Sequence, residues 1–170
     1  MTLIKSFIRD VPDFPKQGIV FKDITPVLAD AGAFGATIGK LVRRYQEDPP
    51  DCVVAVESRG FILGAPLAHA LGRGLVVVRK PGKLPADTIQ ETYELEYGSD
   101  TLEIHSDAIR KGQRCVVIDD LLATGGTAAA TCRLVERLGG TVQELAFMIE
   151  LAFLDGRNKL SWPLFSLLRY

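Results

Sequence analysis

The sequence predicts an α/β fold, a doubly wound and mainly parallel sheet with helices on both faces, and three features of the chain point there. Apolar runs such as Cys52-Val53-Val54-Ala55-Val56 and Cys115-Val116-Val117-Ile118 are β-branched and do not alternate, the pattern of strands covered on both sides. Helical stretches separate these runs and stop at Gly72 and at Gly139-Gly140. Adjacent carboxylates, Asp119 and Asp120, then a glycine-bearing loop, end one run, where open parallel sheets bind ligands.

Taken in order, Thr25 reads as a helix N-cap with Pro26 at the first helical position. Asp30 is a second cap, opening a helix whose stripe is Phe34, Ile38, Leu41 and Tyr45 and which Asp48-Pro49-Pro50 ends. A strand follows at 52–57, too short and too β-branched for a helix, and it closes at Ser58-Arg59-Gly60. Residues 61–71 read as a helix apolar nearly all round, 75–80 as a second strand and 114–120 as a third. A helix with Ala130, Leu134 and Leu138 on one face leads to a fourth strand at 142–151. Between the second and third strands, 81–110 alternates through Tyr93-Glu94-Leu95-Glu96-Tyr97 and Leu102-Glu103-Ile104 around Gly98-Ser99-Asp100. That is an antiparallel hairpin. With little core expected beneath it, it reads as a mobile flap.

Composition narrows the function. Length of 170 residues suits a single domain, 1–170, and the balance of 20 basic against 21 acidic residues gives a net charge of −1. No basic excess exists to hold a nucleic-acid backbone. The N-terminus reaches Arg9 and Asp10 before any signal-like apolar core forms, and no apolar run approaches the ~20 residues that span a bilayer. Cys52, Cys115 and Cys132 show no metal-ligand spacing, and His69 and His105 stand alone, so the cysteines read as buried free thiols of a cytoplasmic protein.

Chemistry concentrates in Asp119-Asp120-Leu121-Leu122-Ala123-Thr124-Gly125-Gly126-Thr127. The two carboxylates suit a cis-diol, each accepting a hydroxyl proton. The loop has small residues that let backbone amides approach an anion, two threonine hydroxyls and the positive end of the following helix. Phosphate beside a diol spells a phosphoribosyl group. The segment is neither a Walker loop, lacking Gly-Lys-Ser/Thr, nor a dinucleotide fingerprint, lacking GxGxxG.

This stretch resembles the phosphoribosyl pyrophosphate signature of type I phosphoribosyltransferases. Gly18-Ile19-Val20-Phe21-Lys22-Asp23-Ile24-Thr25-Pro26, Glu57-Ser58-Arg59-Gly60-Phe61, Arg79-Lys80-Pro81-Gly82-Lys83-Leu84-Pro85 and Leu95-Glu96-Tyr97-Gly98 extend the likeness, the first and last toward the adenine-specific branch. The resemblance implies transfer of phosphoribose from phosphoribosyl pyrophosphate to adenine, giving AMP and pyrophosphate. Ala123, Thr124, Gly125, Gly126 and Thr127 would cradle the 5′-phosphate, and Asp119 and Asp120 would hold the ribose hydroxyls. Arg59 would meet the pyrophosphate, with either Lys80 or Lys83 completing that site. In the family the bond before that arginine is commonly cis. An N-terminal hood, 1–35, would hold the purine through Phe21 on one ring face and the main chain of Val20 and Lys22, with Leu154 on the other face. Glu96 would be the acid/base near N7, and Tyr97 would orient the flap. Mg2+ would be carried mainly by phosphoribosyl pyrophosphate, with no protein cage, and the protein would be a homodimer. The rivals are a 6-oxo purine or xanthine as acceptor, and a ligand-sensing regulator, which would need a basic face or a helix-turn-helix.

Overall fold

The computed structural model describes residues 2–94 and 98–170. The chain divides into two compact units, Met1–Arg44 and Tyr45–Tyr170.

The first unit begins with α1 (Thr2–Ser6) and an antiparallel pair, β1 (Arg9–Pro12) and β2 (Val20–Asp23). Helices α2 (Thr25–Ala29) and α3 (Ala31–Tyr45) follow. Asp30 caps α3 as expected, its carboxylate accepting the Ala33 N–H at 2.7 Å. Thr25 does not cap α2. Ile24 holds the N-cap position, and the Asp23 side chain reaches forward to accept both the Thr25 N–H and the Thr25 hydroxyl at 2.8 Å. On α3 the buried row is Ala33, Thr37, Leu41 and Tyr45 rather than Phe34 and Ile38. Thr37 is tolerated there because its hydroxyl donates to the Ala33 carbonyl at 2.9 Å.

The second unit is built on a five-stranded parallel sheet. Its strands are β3 (Cys52–Val56), β4 (Gly74–Val78), β7 (Arg114–Leu122), β8 (Thr141–Glu150) and β9 (Leu164–Arg169), in the order β4-β3-β7-β8-β9. Residues Val53, Val54, Ala55 and Val56 are all essentially inaccessible, as an unalternating strand requires. Full burial of each such valine contributes about 1.5–3 kcal/mol. Helix α4 (Arg59–Leu71) crosses from β3 to β4, and α5 (Gly126–Arg137) from β7 to β8. They cover opposite faces. Gly64 of α4 presses on Ala55 and Ile118, whereas Ala128 and Leu134 of α5 share a core with Val54, Val56 and Val117, the alternate parity.

The elements depart from expectation at several points. Helix α4 starts at Arg59, with Ser58 at its N-cap, so the arginine stands in the first helical turn rather than in a loop. The second strand ends at Val78, where Arg79 leaves to bridge Glu103. The fifth strand, β9, went unpredicted because Leu164-Phe165-Ser166-Leu167-Leu168-Arg169 contains no β-branched residue.

The insert is a hairpin of β5 (Thr88–Glu94) and β6 (Ser99–His105), paired from Thr88↔His105 to Glu94↔Ser99. Contrary to expectation it has a core. Tyr93, Leu102 and Ile104 are buried in the cluster formed with α5, and Glu91 pairs with Arg133 at 2.5 Å and Arg137 at 3.0 Å. Alternation along a strand signals one covered face, and here the cover is helix α5.

Candidate active site

Strand β3 hands its chain to α4 and β4 on one side, and β7 hands its chain to α5 and β8 on the other. The connections diverge between β3 and β7, and that topological switch is where parallel sheets open a crevice. A cleft of about 470 Å3 lies there, lined by Glu57, Arg59, Lys80, Tyr93, Asp119, Asp120 and Thr127 among others.

Asp119 and Asp120 stand inside β7, which runs two residues further than expected, to Leu122. Asp120 is 6% exposed and accepts a hydrogen bond from Arg59 Nε. Asp119 accepts the Asp120 N–H at 2.8 Å. Burial, reinforced by the neighbouring Asp120 charge, pushes the Asp119 carboxyl well above the ordinary carboxylate range. The start of α4 comes close enough for this constellation only because Gly60 lacks a side chain: a Cβ there would stand 2.9 Å from the Ile118 carbonyl and 3.0 Å from Asp119 Oδ1. The peptide bond Glu57–Ser58 is cis, one residue before the Ser58–Arg59 bond that the resemblance pointed to, and with no proline at this bond nothing in the sequence marks the position.

Residues 123–127 carry the chain from β7 into the first turn of α5 and line a small cavity of about 80 Å3 together with Phe147. Gly125 has φ +88° and is the N-cap residue, and the first turn of α5 has no acidic side chain, which leaves the positive helix end open to an anion. Thr127 donates its hydroxyl to Tyr93 Oη at 3.1 Å. Burial raises the Tyr93 pKa, so this phenol stays neutral.

The two lysines separate. Lys80 lines the cleft and pairs with Asp100 at 2.9 Å, an arrangement that raises the lysine pKa and lowers that of the aspartate. Lys83 pairs instead with Glu57 at 2.6 Å, which Arg79 also holds at 2.8 Å. Leu154 closes a short 3-10 turn, Ala152–Leu154, just after β8, and is half-buried beside the strongly exposed Phe153. Val20, Phe21 and Lys22 lie on β2 of the first unit. There Val20 is exposed, the Phe21 ring meets Phe14 edge-on at 5.3 Å, and Lys22 pairs with Asp10 at 2.7 Å. Glu96 and Tyr97 lie outside the described residues.

Sequence reasoning passed over Glu103. It is 3% exposed and accepts the N–H groups of Lys83 and Leu84, each at 3.2 Å, tying down the segment after β4. Burial works to raise its pKa, but the amides facing it hold it below the usual carboxylate value. An acid between Leu102 and Ile104 was the available signal.

Residues 27–158 match the family described as phosphoribosyl transferase domain. The adenine phosphoribosyltransferase of Desulfitobacterium hafniense is 58% identical over 165 residues, which cover 96% of this chain and 95% of the relative. The chain belongs to the adenine phosphoribosyltransferase family. Adenine phosphoribosyltransferase from Thermoanaerobacter pseudethanolicus, in its crystal structure, superposes with a TM-score of 0.95 at 57% identity, covering 98% of both chains. Adenine phosphoribosyltransferase from Saccharomyces cerevisiae superposes with a TM-score of 0.92 at 43% identity, over 98% of this chain and 99% of the yeast chain. That crystal holds an imino-altritol bisphosphate and adenine.

Proposed function

We propose that this adenine phosphoribosyltransferase of purine salvage works in the cleft between β3 and β7, joining adenine to phosphoribosyl pyrophosphate to give AMP and pyrophosphate. One juxtaposition carries the reading. Two adjacent carboxylates, Asp119 and Asp120, share a wall with the loop 123–127 at the open N-terminus of α5, and Arg59 and Lys80 line the same cleft. Diol, phosphate and pyrophosphate each find a complementary group in this cleft or in the small cavity that shares Asp119 and Thr127 with it.

In this reading Asp119 and Asp120 accept the ribose hydroxyls, while residues 123–127 donate amides and the Thr124 and Thr127 hydroxyls to the 5′-phosphate. Arg59 stabilises negative charge on the departing pyrophosphate, and Lys80, released from Asp100, assists it. Lys83, engaged with Glu57, is the weaker of the two lysine assignments. Phe21 and Leu154 sandwich the purine, and the Val20 and Lys22 main chain reads its amino group and ring nitrogen. A 6-oxo purine would leave those groups unpaired, which is a strong basis for rejection. Glu96 accepts a proton at N7 as N9 attacks C1 of the ribose, and Tyr97 orients the flap that excludes water.

Among the described residues no group of three His, Cys, Asp or Glu side chains stands ready to cage a metal ion. Both oxygens of Glu57 are engaged by Arg79 and Lys83, and Arg59 engages Asp120. Such a donor set fits a Mg2+ that would arrive with the pyrophosphate and take most of its ligands from substrate and water, with the Asp119 and Asp120 carboxylates the groups of this chain that could help to hold it. When bound, the ion would neutralise charge on the leaving pyrophosphate.

The enzyme is further proposed to be a cytoplasmic homodimer. Three buried, unoxidised cysteines suit a reducing compartment, and Ile62 on α4 and Leu75 on edge strand β4 offer exposed apolar surface for a partner. Among the described residues no helix is long and apolar enough to cross a membrane. Assaying each purine in turn tests the reaction: adenine should be used at least ~10³-fold better than guanine or hypoxanthine. Comparable rates of AMP and IMP synthesis would refute the specificity. Sedimentation showing only monomer at micromolar concentration would refute the dimer.

A further inference from the structure

We infer that Glu150, Arg157 and Gly156 form a clamp that presses the segment carrying Leu154 onto the phosphate loop, making them positioning residues for both substrates at once. The inference rests on the functional reading above, which gives the loop 123–127 to the 5′-phosphate and Leu154 to the purine.

The contact itself is backbone on backbone. After β8 the chain makes two 3-10 turns, Ala152–Leu154 and Gly156–Lys159, joined by Asp155 at φ +55°. Gly156 is buried, and a Cβ on it would stand 2.1 Å from the Ala123 carbonyl oxygen and 3.0 Å from backbone carbons of Ala123 and Thr124. A Cβ on Gly125 would in turn stand 2.9 Å from the Gly156 carbonyl oxygen. Neither main chain can give way cheaply, so the position of Gly156 and the position of the phosphate loop are a single variable.

What fixes that variable is ionic. Arg157, next to Gly156, engages Glu150 through both arms of its guanidinium, Nε to Oε1 at 2.9 Å and Nη2 to Oε2 at 2.5 Å, and donates Nη1 to the Leu164 carbonyl at 3.3 Å. Glu150 is 1% exposed and also accepts the Ser166 hydroxyl at 2.7 Å, with Arg169 Nε 3.2 Å away. A carboxylate buried this deeply is costly to leave unpaired, so Arg157 is held in place and the forked geometry leaves the segment no freedom to rotate. Main-chain bonds from Leu151 to the Leu122 carbonyl at 2.9 Å and from Ala152 to the Tyr170 carbonyl at 2.8 Å pin its other end. Leu154 lies between the two anchors. Displacing the clamp therefore moves the purine wall and the phosphate loop together, although Arg157 and Glu150 line no part of the cleft.

The test compares wild type with Gly156→Ala, Arg157→Lys and Arg157→Gln. Measurements are KM for phosphoribosyl pyrophosphate, KM for adenine, kcat, the thermal midpoint, and affinity for ribose 5-phosphate by calorimetry. Misplacement of the loop by a few tenths of an ångström to 1 Å should raise both KM values, that for phosphoribosyl pyrophosphate by at least ~10-fold, and weaken ribose 5-phosphate correspondingly. Arg157→Lys, which keeps the charge but loses the fork, should fall between wild type and Arg157→Gln. A purely structural role would lower the thermal midpoint and leave both KM values of the folded protein within twofold of wild type, and that result overturns the clamp. If Gly156→Ala does not fold, the two Arg157 variants decide the matter alone. A wild-type protein inactive on adenine would refute the functional reading only, since the ribose 5-phosphate comparison still judges the clamp.

Discussion

At the scale of single residues, Asp119 is the cleft carboxyl whose protonation can be tested. Its pKa is raised in the folded chain, so the fold favours the protonated form. That contribution is present below the unfolded carboxyl value of about 3.9 and is lost as pH rises through the raised value. Ribose hydroxyls donate to a carboxylate and favour its ionised form, so binding ribose 5-phosphate should release a proton between those two values. Calorimetry in buffers of different ionisation heat reads this directly. Asp119→Asn with Asp120→Asn should abolish both the release and the use of phosphoribosyl pyrophosphate, whereas binding without proton release at any pH in that window removes the assignment. Glu96 supplies the second prediction. Glu96→Gln should lower kcat by at least ~10²-fold while Glu94→Gln stays mild. Two equally active variants would remove the acid/base assignment of Glu96. That Asp119, Asp120, Arg59 and Thr127 gather at one cleft was legible in the chain, because motif spacing survives folding. The places of Tyr93, Glu103 and Gly156 were not, because their contacts depend on which strand or loop arrives beside them.

At the scale of elements, the start of α4 decides whether Arg59 can meet Asp120. Gly60→Ala would place a methyl against the Ile118 carbonyl, while Gly64→Ala would place one 2.7 Å from the Ala55 Cβ. Both overpack the helix against the sheet and should each cost about 1–3 kcal/mol of stability. Only Gly60→Ala should also reduce kcat/KM beyond what the lost stability explains, because it alone pushes the arginine's helical turn off the end of β7. Equal residual activity in the two folded variants would contradict this. The strands most readable in advance, β3, β7 and β8, are those whose own residues meet core on both faces. Strand β9 and the buried row of α3 escaped because the first lacks β-branched residues and the second admits Thr37, a polar residue satisfied within its own helix. The hairpin's alternation was plain in the sequence, but the cover over its apolar face was not, since α5 supplies it from some 40 residues away (Glu91 to Arg133).

At the scale of the whole molecule, acid stability should report Glu150. The carboxylate bond to Arg157 lowers its pKa to about 2, so its contribution is present above about 4.5 and lost as pH falls through about 2. A shift of that size corresponds to about 3 kcal/mol at neutral pH. Denaturation curves of wild type and Glu150→Gln should therefore be far apart at pH 6 and converge toward pH 2. A constant separation across that range would show that Glu150 is not the group being titrated.

The seam between β3 and β7 has a kinetic consequence. Each flanking unit is continuous in the chain, β3-α4-β4 over 52–78 and β7-α5-β8 over 114–150, and can gather its own helix against its own strands. The seam itself joins partners such as Cys52 and Cys115, 63 positions apart, and such distant pairings form late. Because Arg59 stands on one side of it and Asp120 on the other, neither half alone forms the cleft. Regain of catalysis after dilution from denaturant should accordingly lag behind regain of far-ultraviolet ellipticity. Coincident recovery of the two signals would mean that the sheet closes in one step, and a half-folded chain never accumulates to hold phosphoribosyl pyrophosphate unproductively.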